Sequence, residues 1–298
     1  MRVVVLAAEE PNQTALCWKL AAQCELAGII LSRNLTRCPP AQQGRRLLNR
    51  VEGRLVGFPF VAAAASMHHR YRASSPRVPA VETIRVRHVN DGGVLRFLQR
   101  AAPDVVAVSG TNLVGDPIIE WTSRRRGIVN LHTGLSPYVK GGPNCTNWCL
   151  AERTFHLIGN TVMWLDAGID SGPIIATEQT ALTGLETLAE LHWRVMEHAQ
   201  DLYVRVIRAL AEGRHVPRVP QASLAAGRTF YNIEWNGRAM RRAWMNFKRY
   251  YSSEALTGEP YRVESSRLTL YPFSAQQGGS EATPPTAGSA RTMAGTLQ

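Results

Sequence analysis

"RVVVLAAEEPNQTALCWKLAAQCELAGIILSR", residues 2–33, decides the fold class. Residues 2–8 form a short β-branched apolar run of the kind that makes a buried strand. After "EEPNQ", residues 14–27 space their apolar side chains helically, and "GIILSR" (28–33) reads as a second strand. Strand, helix, strand opens a parallel α/β sheet, because parallel neighbours need a crossover between them.

The alternation continues outward. "CPPAQQGRRLLNRVEGRL" (38–55) suggests a helix, and "PFVAAAASMHHRYRASSPRVPA" (59–80) a helix followed by a loop. "ETIRVRHVN" (82–90) suggests a strand, "GGVLRFLQRAAP" (92–103) a helix and "DVVAVSG" (104–110) a strand. "DPIIEWTSRRR" (116–126) suggests a short helix and "GIVNLHT" (127–133) the next strand. "TVMWLDAGIDSGPIIATEQTAL" (161–182) changes character and reads as two antiparallel strands around a Gly-rich turn. Residues 183–213 form a long amphipathic helix, with Thr183 and Glu186 at capping-box spacing and Gly213 as its stop. The expected class is α/β, a Rossmann-like and mostly parallel sheet with helices on both faces, plus a small C-terminal extension. The expected organisation is a catalytic domain over 1–212, an extension of undetermined fold over 213–273, and a disordered Gly/Pro/Ser/Thr-rich tail over 274–298.

The chain has 298 residues, 45% hydrophobic and 19% charged, enough apolar surface for a substantial core. The net charge of +11 suits nucleic acid, an anionic membrane surface or a phosphorylated substrate, but heavy arginine usage also follows from genome composition. The five cysteines (17, 24, 38, 145 and 149) show no disulfide framework. The apolar start is at the short limit for a signal sequence, and no run approaches the ~18 residues of a membrane span. The cytoplasm is the expected location.

The turn after the first strand, "AAEEPNQT", has no glycine and two acids, so it does not cradle a pyrophosphate as a dinucleotide-binding turn does. His132, Cys145 and Cys149 invite comparison with a zinc deaminase. However, "HTG" lacks the proton-shuttling Glu, and "PNCTNWC" separates the cysteines by three residues rather than two. No metal is expected. In "NLH", Asn130 and His132 lie two apart at a strand's end, so their side chains share a face. An imidazole can carry a proton near neutral pH, and an amide can donate to a developing oxyanion. A carboxylate to orient the imidazole is available from Asp166 or Asp170 in "DAGIDSG".

These residues carry a resemblance. "NLHTGLSPYVKGG", followed some forty residues after the Asn by "DAGIDSGPII", resembles the folate-dependent formyltransferase family. That family includes glycinamide ribonucleotide transformylase, methionyl-tRNA formyltransferase and the sugar N-formyltransferases. The likeness spans roughly 1–212, with its specific part at 104–176. It implies that Asn130, His132 and Asp170 are catalytic and that 10-formyltetrahydrofolate is the formyl donor. By position it makes Asn112, Leu113 and Val114, in "SGTNLVGDP" (109–117), folate-binding candidates. Asp166 joins them by position, although a turn role is its first reading. The missing Gly-rich loop after the first strand argues against glycinamide ribonucleotide as acceptor. The implied partner is therefore a small-molecule amine, first a nucleotide-linked amino sugar. Methionyl-tRNA is the alternative, no membrane is implied, and a homodimer stays open. A zinc deaminase and a non-catalytic folate-binding relative are the remaining readings. Residues 228–251 are basic and aromatic, but Met240, Trp244 and Phe247 recur at helical intervals, so this segment is expected to pack rather than to bind RNA. His68-His69 and Arg124–Arg126 are read as solvated.

Overall fold

The computed structural model describes residues 1–35 and 56–273. The helix expected over 38–55 and the tail over 274–298 lie outside the described residues. The first half alternates as expected: β1 (Arg2–Ala8), α1 (Pro11–Ala21), β2 (Glu25–Ser32), α2 (Phe58–Ser74), β3 (Thr83–Val86), α3 (Gly92–Ala101), β4 (Val105–Ser109), α4 (Asp116–Ser123) and β5 (Ile128–His132). Then come β6 (Val139–Gly141), α5 (Cys145–Glu152), β7 (Gly159–Trp164), β8 (Ile174–Gln179) and α6 (Leu188–Ala211). The chain continues through β9 (Arg228–Phe230), α7 (Gly237–Tyr250), α8 (Ser253–Thr257) and α9 (Glu259–Ser266).

The main sheet has seven strands in the order β3-β2-β1-β4-β5-β7-β8. The four pairings among β1 to β5 are parallel, whereas β7 runs antiparallel to both β5 and β8. This is the Rossmann-like sheet with an antiparallel hairpin added at one edge. The central strands β1 and β4 bury both faces. Val5, Ala7, Ala107, Val129 and Leu131 pack with α1 and α6 on one side. Val4, Leu6, Val106, Val108 and Ile128 pack with α3 and α4 on the other.

Two sequence expectations shift. β2 begins at Glu25 rather than Gly28, because its first residues lie at the sheet rim, where no apolar run marks them. The long helix begins one turn after Thr183. Its N-cap is Thr187, in a reciprocal capping box with Glu190. Thr183 and Glu186 do bond to each other, at 2.9 Å through both the Thr183 N–H and its hydroxyl. The Glu186 carboxylate is spent elsewhere as well, since it accepts from Gly184 N–H at 2.9 Å and from the Tyr251 hydroxyl at 2.8 Å.

The residues after α6 are built onto the same body. A third apolar cluster joins α5, Phe230 and α7, and Met240, Trp244 and Phe247 turn inward against it. Trp148 stacks on Phe230 with centroids 4.4 Å apart. Arg238, Arg241 and Arg242 face outward, the last paired with Glu152 at 2.6 Å. Phe273 is buried in the core beside α6, and Thr177 and Tyr271 exchange hydrogen bonds along β8. Among the described residues, no helix is long and apolar enough to cross a membrane.

Candidate active site

The alternation in "IVNLH" positions the site. Val129 and Leu131 turn toward α6, so Asn130 and His132 share the opposite face with Ile128. Asn130 is in register with Val108 of β4 on one side and Met163 of β7 on the other. These three side chains line an open cleft of about 410 Å³. Residues 111–114 form one wall, and residues between Leu165 and Gly172 form the other.

That second wall is the turn joining β7 to β8. It leaves beside the start of β5, where Leu165 N–H donates to the Ile128 carbonyl at 2.9 Å, and it folds back over the face that carries Asn130. Asp166 staples the turn, accepting from Gly168 N–H at 3.0 Å and from the Ser171 hydroxyl at 2.7 Å. Asp170 sits in the left-handed region at φ +46°. Its Oδ1 accepts from the Asn130 amide at 3.4 Å. Its Oδ2 accepts from Gly141 N–H at 3.1 Å and lies 3.3 Å from His132 Nδ1. The fold therefore gathers Asn130, His132 and Asp170 around one carboxylate. The contacts are long for strong hydrogen bonds.

His132 is not part of the cleft wall. It is only 8% exposed and stands behind Asp170. Its Nε2 lies 3.4 Å from the Val139 carbonyl and 3.5 Å from Cys145 Sγ. Gly134 makes room for this packing, since a Cβ there would sit 2.5 Å from His132 Nε2. Burial, with Cys149 and Asp170 adding to it, pushes the Cys145 thiol well above its usual range, so sulfur meets the imidazole as a thiol. Burial likewise pushes Cys149 up to about 12. Among the described residues, no group of three or more His, Cys, Asp or Glu side chains is gathered as for a metal.

The folate-binding candidates Asn112, Leu113, Val114 and Asp166 all line the cleft. Supports that the sequence did not reveal hold the 111–114 wall. The Asn90 amide donates to the Leu113 carbonyl at 2.9 Å and accepts from Gly115 N–H at 2.7 Å. Asn34 Oδ1 accepts from Asn112 N–H at 3.3 Å, and His88 Nε2 lies 3.2 Å from the Asn112 amide nitrogen. Nothing in the spacing of these residues marks them. Leu113 remains 56% exposed at the cleft mouth.

A second cavity, of about 460 Å³, lies between α2, α6 and the start of α5. Its polar lining is Thr133, Asn144, Thr146, Asn147 and His192. Burial lowers His192 to about 4, leaving it neutral at pH 7, and its Nε2 meets Asn147 Oδ1 at 2.8 Å. At the end of β1, Glu9 is not a bare charge. Burial would raise its carboxyl, but Arg33 at 3.0 Å and Arg85 at 2.8 Å hold it below the usual range. Of the residues read as solvated, Arg126 donates to the Leu210 carbonyl at 3.0 Å and Arg125 stacks on Trp121, while His68 is half-buried and His69 exposed.

An α/β fold with this polar constellation on the face of β5 has counterparts among known proteins. Residues 61–207, which carry Asn130, His132 and Asp170, match the family model described as formyl transferase. Just under half of the chain is thus similar to the formyltransferase superfamily. It is 28% identical over 150 residues to a methionyl-tRNA formyltransferase from Syntrophus aciditrophicus, covering 50% of this chain and 46% of that one. It is 30% identical over 164 residues to the one from Clavibacter michiganensis, covering 52% and 51%. The chain thus spans about half the length of the curated relatives it matches. Among solved structures, an uncharacterised Mycobacterium tuberculosis protein with a suggested sugar N-formyltransferase role gives a TM-score of 0.53 at 16% identity, covering 92% of this chain and 97% of that one. A phosphoribosylglycinamide formyltransferase from Anaplasma phagocytophilum gives 0.50 at 18% identity, covering 72% and 88%. At these identities the structural likeness concerns the fold.

Proposed function

We propose that the protein transfers a formyl group from 10-formyltetrahydrofolate to the primary amine of a nucleotide-linked amino sugar or a similar small metabolite. The observation that carries the reading is the meeting of Asn130 and Asp170, backed by His132, on the floor and wall of one open cleft. The cleft suits the donor. Its walls mix apolar side chains with a few polar groups, and its mouth is open for an acidic tail. Residues 111–114 and Asp166 would hold the folate, which supplies an activated formyl carbon.

The protein's own groups then have distinct tasks. Asn130 has two amide hydrogens. One points to Asp170, which leaves the other for the oxygen that gains charge as the amine attacks. Asp170 is the carboxylate on the cleft wall; it would accept the proton that the attacking nitrogen must lose, and that proton would return to the folate nitrogen as its bond to the formyl carbon breaks. His132 orients Asp170 from behind through Nδ1. Holding both reactants against these groups accounts for much of the acceleration.

Two observations support a small acceptor. The second cavity begins at Thr133, next to His132, and its lining contains no ionised side chain, which suits a hydroxyl-rich ring. The apolar stripe of α7 is spent on packing rather than on stacking bases. Methionyl-tRNA is the second reading. It is favoured by the names of the curated relatives and by the outward arginines Arg238 and Arg241. Titrating the protein with bulk tRNA between 50 and 200 mM salt separates the two. A tRNA enzyme contacting six or more phosphates loses ~1,000-fold or more in affinity, whereas a sugar-nucleotide enzyme responds shallowly. A shallow response with formylation of an amino-sugar nucleotide is expected. Steep binding with formylation of charged initiator tRNA would replace the sugar reading.

A further inference from the structure

The segment after α6 reaches into the site. The antiparallel bridge between Ile174 and Val219 lays it along the start of β8, with N–H···O contacts of 2.8 and 3.0 Å. Trp164 Nε1 donates to the Pro217 carbonyl at 3.2 Å, and the Arg218 guanidinium lies 4.0 Å over the same ring. The chain then makes a short helical turn, Gln221–Ser223, whose first side chain is 6% exposed. The Gln221 amide nitrogen donates to two carbonyls at once, those of Asp170 and Gly172, each at 2.8 Å. It also lies 3.8 Å from the sulfur of Met163 on the cleft floor.

We propose that Gln221 is a positioning residue, whose side-chain amide holds Asp170 in the left-handed conformation that presents its carboxylate to Asn130 and His132. A non-glycine residue in that region is disfavoured and persists only where its surroundings over-determine it. A glutamine suits the task because one NH₂ group offers two hydrogens to two buried carbonyls. The same stretch of chain controls the other side of the carboxylate. β9 pairs with β6, and Phe230 accepts from Gly142 N–H at 3.0 Å. β6 ends at Gly141, whose N–H holds Asp170 Oδ2. Gly141 sits at φ +89°, and a Cβ there would meet the Phe230 carbonyl oxygen at 2.1 Å, so the two strands close only on a glycine. Asp170 is thus fixed through its backbone by Gln221 and through its carboxylate by a loop seated on β9. Both supports lie beyond residue 207, where the family match ends.

The kinetic consequence rests on the formyl-transfer reading; the structural one does not. Gln221→Met keeps the volume and removes the donor, while Gln221→Glu keeps the shape and sets an acceptor against two carbonyls. Both are expected to lower kcat by ~10–100-fold, the scale of a misplaced catalytic group, with the KM for the folate donor within about threefold. Both should speed amide hydrogen exchange in residues 166–172 but not in the distant β1–β3. Ser223→Ala, which removes only a local bond to the Pro220 carbonyl, should change neither. If one variant fails to fold, the other decides. Unchanged kcat and exchange would overturn the proposal. So would a fall in melting temperature with donor KM and kcat declining together and no local exchange signature. If the wild-type protein formylates no amine, the functional reading fails, and exchange in 166–172 alone decides the role of Gln221.

Discussion

A double-mutant cycle on His132 and Asp170 tests how the site divides its labour. Asp170 lines the cleft and His132 does not, so on the proposed mechanism the histidine acts through the 3.3 Å contact between its Nδ1 and Asp170 Oδ2. Asp170→Asn keeps the shape. An asparagine oxygen on the Oδ2 side still accepts from Gly141, and Asn130 can rotate its amide to face the new NH₂, so the fold should survive. On the proposed mechanism what is lost is proton acceptance, worth ~1,000-fold in kcat, or about 4 kcal/mol. His132→Ala leaves Asp170 with the Gly141 N–H and the Asn130 amide. Only orientation is lost, so ~30–100-fold is expected. Because the histidine acts through the aspartate, the double variant should fall no further than Asp170→Asn alone. Independent roles would multiply to a ~30,000-fold loss or more. The assay follows tetrahydrofolate release by absorbance at saturating donor, with circular dichroism confirming the fold. A double variant slower than Asp170→Asn by the full His132→Ala factor would refute the arrangement and give His132 its own contact with the reacting atoms.

Stability at low pH should track Glu186. Burial would raise its carboxyl, but the Thr183 N–H, the Tyr251 hydroxyl and further donors hold it at about 2, well below the usual carboxylate range. A depressed carboxyl stabilises the fold above its unfolded pKa and loses that contribution as pH falls, here from about pH 5 toward 2. Glu186→Gln should therefore flatten the acid limb of a melting-temperature profile in that window, and an unaltered limb would show that the carboxylate is not what binds the 183–187 turn to Tyr251. At the cleft mouth, Leu113→Asp should weaken tetrahydrofolate binding by ~10-fold while leaving stability within ~0.5 kcal/mol, because the side chain is 56% exposed; calorimetric titration with an unchanged dissociation constant would remove 111–114 from the folate site.

The core strands and the three polar residues were legible in the sequence, for different reasons. β1 and β4 are buried on both faces and so read as nearly unbroken apolar runs. Asn130 and His132 stand out because they interrupt such a run. Asp170 was found through its resemblance to a family spacing, since an Asp before Ser-Gly is otherwise an ordinary turn. The helix start differs from the expected one because two consecutive Thr-x-x-Glu signals, Thr183/Glu186 and Thr187/Glu190, occupy adjacent turns. Choosing between them needs the knowledge that Tyr251, 65 residues away, takes the first glutamate. β6 and β9 are three residues each, too short for any period, and pair across almost ninety residues. Gln221 has no local signal at all. Its partners are backbone carbonyls, which every residue has, so only the fold could show which ones it meets.

The change of strand direction at β5/β7 explains why a site opens here. A further parallel strand beside β5 would need a crossover connection, and such connections lay helices over the faces of the sheet. The hairpin of β7 and β8 brings no such helix, so the face that carries Asn130, His132 and Met163 is left for other elements. The turn over 165–173 takes part of it and delivers Asp170. The segment from Gln221 to Phe230 takes the rest, touching Met163, Asp170, Gly172 and Gly142. Once a turn rather than a helix covers that face, its carbonyls need donors from outside the turn, because buried peptide groups are seldom left unpaired. Gln221 meets that demand, and in meeting it fixes the one carboxylate on which the neighbouring amide and imidazole converge.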